Sequence, residues 1–66
     1  MKHLVFYKTN DVFLAEETLQ QAGIDVEVVP TPVQDKAYCG VCVRLSSEGY
    51  ETAKPLLGDL EYVLVE

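Results

Sequence analysis

Basic residues are scarce in this chain: five lysines and arginines stand against eleven acids, for a net charge of −6. Affinity for nucleic acid comes from neutralising phosphates with Lys and Arg, so no nucleic-acid partner is expected. The same shortage argues against binding to an anionic membrane surface. Long apolar runs are missing too, and none approaches the ~20 residues that cross a bilayer. Met1-Lys2-His3 leads straight into LVFY, too short for the apolar core of a signal peptide, and no cleavage-type site follows. The expected location is therefore cytoplasmic. Cysteine occurs twice, at Cys39 and Cys42, which is not the disulfide framework of a secreted mini-protein. The one histidine, His3, is far in sequence from both thiols, and a structural metal takes about four suitable ligands. No metal and no other cofactor is expected. A phosphate-binding glycine loop, a Ser-His-Asp set and an acid/base pair of carboxylates are absent as well.

What remains is an ordinary globular composition, 48% apolar and 24% charged, in 66 residues. The expectation is one small domain over 1–66, burying about 60% of its unfolded surface. So small a core has no room for a deep private active-site cavity. A carrier, adaptor or subunit fits this size, and an isolated enzyme does not. The acidic balance suits a basic or neutral protein partner, or simply a well-solvated surface.

The hydrophobic pattern is legible along the whole chain. Lys2–Tyr7, KHLVFY, reads as strand 1, and its run of four apolar residues predicts a central position covered on both faces. Asn10 is the expected N-cap of a helix from Asp11 to Ala22. Val12, Ala15, Leu19 and Ala22 fall on one helical face, with Phe13 and Leu14 widening the stripe at one end. Gly23 is placed to close that helix in the left-handed region. Ile24–Val29 alternates apolar and acidic residues and predicts an edge strand. Pro30-Thr31-Pro32 then holds the chain extended. Val33–Tyr38 is the least regular piece, expected to be mobile. Gly40–Leu45 returns to strand period. Ser46 or Ser47 caps a second helix with Tyr50, Ala53 and Leu57 inside, shortened or tightened at Pro55 and closed by Gly58. Leu60–Val65 is the last strand.

The order β-α-β-β-α-β with right-handed crossovers predicts an α+β fold: the ferredoxin-like βαββαβ two-layer sandwich. Its antiparallel sheet would run 4-1-3-2 with both helices on one face. The other face, with His3 or Val5, Tyr7, Cys42, Arg44, Val63 and Val65, is apolar enough that a homodimer burying it is a rival arrangement.

Chemistry-bearing residues gather in Pro30–Arg44, PTPVQDKAYCGVCVR, which holds two of the three prolines and both cysteines. Cys39 precedes Gly40, which allows close backbone approach or a positive φ, so that amide N–H groups would point at the sulfur. Lys36 supplies a nearby cation, and cations and amide dipoles favour the thiolate, the reactive form. The alternative is that Cys39 is a small half-buried hydrophobe opening a strand. C-G-V-C is nominally a C-x-x-C motif, which works in redox proteins where it opens a helix. Here it enters a strand, on which positions i and i+3 face opposite ways. Only a bulge or turn at Gly40 would bring the thiols together, so Cys42 reads first as a packing residue on the second sheet face and second as a dithiol partner. Arg44 shares that face with Cys42; it is either an anion-binding guanidinium or a charge at the sheet rim.

Taken together, Thr9, Asp11, Ala15, Glu16 and Leu19, then Pro30-Thr31-Pro32, Cys39-Gly40 and Arg44, resemble the selenium/sulfur carrier protein-like family over nearly the whole chain. The resemblance implies a non-enzymatic carrier with Cys39 holding sulfur or selenium as a persulfide or selenosulfide, received from one protein and passed to another. Cys42 departs from the family pattern, in which a small residue such as alanine is usual there. Beside this reading stand two others: a binding or regulatory module that dimerises or takes a ligand through the second sheet face, and a dithiol redox protein using Cys39 and Cys42.

Overall fold

The computed structural model describes residues 1–32 and 36–66. Its elements in chain order are β1 (Lys2–Phe6), α1 (Thr9–Gln21), β2 (Val26–Pro30), β3 (Val41–Leu45), α2 (Ser47–Ala53), a 3-10 turn over Lys54–Leu56, and β4 (Tyr62–Val65). The four strands form one antiparallel sheet in the order β2-β3-β1-β4, the ferredoxin-like order 4-1-3-2 read from the other edge. The central position of β1 and β3 and the edge position of β2 agree with the hydrophobic pattern. The expected mobility of Val33–Tyr38 falls partly on residues 33–35, which lie outside the described residues.

One face of the sheet meets the helices. Leu4 and Phe6 of β1, Val43 and Leu45 of β3, and Val12, Ala15 and Leu19 of α1 are fully buried in a single cluster with Ile24, Tyr50, Ala53 and Leu57. Each buried Leu or Phe side chain contributes about 1.5–3 kcal/mol. Tyr62 on β4 packs at the edge of this cluster, 5.8 Å from the Phe6 ring and 6.4 Å from the Tyr50 ring, with the two tyrosine hydroxyls 3.0 Å apart.

Several boundaries differ from the sequence reading, each for a local reason. α1 starts at Thr9, not Asp11, because β1 ends at Phe6 and the chain turns at once through Tyr7 and Lys8. Lys8 takes the N-cap position without a side-chain cap, so Asn10 lies inside the first turn. At the other end Gly23 has φ +80°, its N–H donates to the Gln20 carbonyl, and the Ile24 N–H donates to the Leu19 carbonyl. This is the Schellman closure, sealed by an apolar contact between its ends. Ile24 thus belongs to the helix stop, and β2 begins two residues later. Ala22 is exposed rather than on the inner face.

Phe13 and Leu14 are about half exposed, at 51% and 52%. They do not widen the buried stripe, because they sit about 100° and 200° around the helix from Val12. Ser46 caps α2, accepting from the Gly49 N–H at 2.9 Å. Pro55 falls inside the 3-10 turn, where the tightened backbone accommodates its missing donor. β4 begins at Tyr62, since Leu60 is held back by its N–H bond to the Leu57 carbonyl.

Candidate functional site

The face turned away from the helices carries His3, Val5, Cys42, Arg44, Glu27, Val29, Val63 and Val65, by strict alternation along the strands. Cross-strand register sets Glu27 opposite Arg44, Arg44 opposite His3 and His3 opposite Val65; Val29 is opposite Cys42, and Val5 is opposite Val63. Val5 and Cys42 have 0% exposure although neither belongs to the helix-side cluster. The centre of the second face is therefore closed rather than open to water. Its rim is less so: Val29, Val63 and Val65 are half-buried. Arg44 pairs with Glu27 across the strands, and its Nε and the Nδ1 of His3 are buried with no hydrogen-bond partner among the described residues.

Beyond Val43 the strand β3 parts from β1. Continuing the register would set Phe6 against Val41, yet the Phe6 carbonyl accepts the Cys39 N–H at 3.0 Å, two residues earlier. Pairing to β2 stays regular, with Pro30 opposite Val41 and the Thr31 N–H donating to the Gly40 carbonyl at 3.0 Å. The result is a bulge toward β1 at Gly40-Val41, the kind of distortion that re-aims a side chain.

Cys39 sits on this bulge. Its backbone is fixed on both sides: the N–H by Phe6 and the carbonyl by the Thr31 hydroxyl, which donates to it at 2.8 Å. The side chain is half-buried against the helix-side cluster, and its S–H donates to the Val41 carbonyl at 2.8 Å. Next to it the Tyr38 ring lies 5.1 Å from the Tyr7 ring. Tyr7 also lines a cleft of about 270 Å³ with Lys8, Asp11, Asp59, Leu60 and Glu61. Three carboxylates thus border the sheet end at which Cys39 emerges.

Cys42 is of another kind. Its sulfur faces the second side of the sheet, 3.8 Å from the Pro30 carbonyl. Burial pushes its thiol above the ordinary value and the charge of Cys39 adds to this, while the Thr31 hydroxyl and the Arg44 guanidinium pull it down. Both cysteines are free thiols. The bulge that the C-x-x-C reading required is present, but the two side chains remain on opposite sides of the sheet.

The other expected site residues are dispersed. Lys36 is exposed in the turn before Tyr38, and among the described residues no hydrogen bond or ion pair joins it to the Cys39 sulfur. Arg44 sits beside Cys42, engaged with Glu27. Gly40 is not in the positive-φ region, and a Cβ built there meets nothing within 4 Å. Neither conformational reason for a glycine holds at this position. Thr31 was not expected as a site residue; its place between two prolines was the available signal. Nor was the Tyr7–Tyr38 pair expected. Among the described residues no group of three or more His, Cys, Asp or Glu side chains is placed to hold a metal ion, and no helix is long and apolar enough to cross a membrane.

Fold and site together define a small ferredoxin-like protein with one half-buried thiol held on a strand bulge. By sequence, residues 3–62 match the family model described as "Putative Se/S carrier protein-like", and the chain belongs to that family. No curated protein and no solved structure matches it.

Proposed function

We propose that the protein is a non-enzymatic carrier of sulfane sulfur or selenium, with Cys39 as the carrying thiol. The observation that supports this most is the contrast between the two cysteines. Cys39 is half-buried at the edge of the fold, and Cys42 has no exposed surface at all. In loading, the Cys39 thiolate attacks the outer sulfur of a donor persulfide. A new S–S bond forms on Cys39, the donor's S–S bond breaks, and the donor leaves as a thiolate. The exchange is redox-neutral, and unloading to an acceptor thiol is the same step in reverse. A selenosulfide follows the identical balance. Moving the S–H off the Val41 carbonyl frees the sulfur for attack.

Donor and acceptor are proteins in this reading. The carboxylates Asp11, Asp59 and Glu61 beside Tyr7 favour a basic surface on them. A second reading keeps the cysteines as packing residues and assigns the sheet face away from the helices to a second copy of the chain. The full burial of Cys42 favours its packing role, and the half-buried rim of Val29, Val63 and Val65 favours a second copy on that face.

Intact mass after incubation with a persulfide donor or a selenosulfide donor (R–S–SeH) tests the carrier. The wild type should gain about +32 Da per sulfur or about +80 Da per selenium on a cysteine, and Cys39→Ala should gain neither. An unmodified wild type under every donor would overturn the proposal.

A further inference from the structure

Thr31 makes two hydrogen bonds that converge on the Cys39-Gly40 backbone. Its N–H donates to the Gly40 carbonyl at 3.0 Å and its hydroxyl to the Cys39 carbonyl at 2.8 Å. The side chain belongs to the strand face of Val29 and Cys42, whereas the Cys39 sulfur is packed on the other side. Thr31 therefore reaches the backbone of Cys39 from beneath, without touching its thiol.

We propose that Thr31 is the positioning residue of Cys39: its hydroxyl locks the Cys39-Gly40-Val41 bulge so that the sulfur stays half-buried on the Val41 carbonyl. The bulge has no regular β1 partner at Gly40 and Val41, and glycine supplies no side chain to brace it. Among the described residues, the Phe6 carbonyl, the Val41 pairing with Pro30 of β2 and Thr31 hold its shape. The prolines on either side of Thr31 restrict its backbone, so the hydroxyl is presented at little entropic cost. In the carrier, on which this role rests, the lock shields the loaded sulfur from bulk thiols until a partner opens the bulge.

The test is native-state alkylation with iodoacetamide, read by peptide mass so that Cys39 and Cys42 are scored separately. Thr31→Val keeps the shape and removes the hydroxyl; Cys39 labelling should rise about tenfold, the loss of one hydrogen bond. Thr31→Ser keeps the hydroxyl and should label at the wild-type rate. If Thr31→Val does not fold, Thr31→Ala removes the same hydroxyl without adding a methyl beneath the Cys39 carbonyl, and it should show the same rise. Wild-type labelling in the folded hydroxyl-free variant, or a serine variant as fast as that variant, would overturn the proposal. Alkylation needs no persulfide, so the two readings fail separately. Raised labelling in a protein that takes up no sulfur sinks the carrier and leaves the lock. Unchanged labelling in a protein that loads sulfur sinks the lock and leaves the carrier.

Discussion

At the scale of single residues, two cysteines three positions apart differ because a strand puts them on different sides of a sheet. Cys42 is held in the row of Val29, Val5 and Val63 and behaves as a small buried hydrophobe. Cys39 is carried outward on the bulge and keeps part of its surface. Gly40 between them proves less special than its sequence context implies. With φ outside the left-handed region and open space around a built Cβ, alanine fits there. Gly40→Ala should leave stability unchanged or raise it by up to about 1 kcal/mol, through the smaller entropy of the unfolded chain. Urea unfolding measures this. A loss well beyond that range would mean that the bulge needs glycine after all.

Among the elements, the joint between α2 and β4 is where pH should act. Burial first, then the hydrogen bond to Tyr50 and its charge, push Tyr62 from its ordinary value of 10 up to about 12. The fold thus favours the neutral phenol. Stability from this source is fully present below about pH 10 and is lost as pH rises from there through about 12. Cys42, also pushed up by burial, acts in the same direction from its own ordinary value. Unfolding midpoints across this alkaline range should fall less steeply for Tyr62→Phe than for the wild type. Equal slopes would show that the phenol is ionised as easily in the fold as in the unfolded chain. The helix ends illustrate the same scale. Gly23 closes α1 as its type and place foretold, while Asn10 was passed over because the chain turned into the helix before reaching it.

For the whole molecule, the question is how the second sheet face relates to the thiol. The face lies on the opposite side of the sheet from the Cys39 sulfur, and its centre is already closed over Val5 and Cys42. A charge placed on its rim should therefore not disturb the site. Val63→Asp is expected to take up sulfur as the wild type does, read by intact mass, and sedimentation of both proteins shows whether the rim joins two copies. Loss of loading in Val63→Asp that stays folded would make the face part of the carrier surface. Net charge of −6 per chain opposes self-association at low ionic strength, so any dimer should tighten as salt screens it.

By itself the sequence determined the order of elements, the central and edge strands and most of the core. Those features rest on period and local stop signals, such as Gly23, Ser46 and Pro55, which act over a few residues. It also singled out Pro30–Arg44 as the stretch bearing the chemistry. Only the tertiary structure decided how that stretch divides. Whether Gly40 marks a bulge depends on pairing with β1 and β2 at once, and those strands lie far away in the chain. That Lys36 stands apart from the sulfur, that Arg44 is engaged with Glu27, and that Thr31 grips the Cys39 carbonyl are all consequences of that pairing. Contacts across a sheet have no period in the sequence, and so they became visible only when the strands were laid side by side.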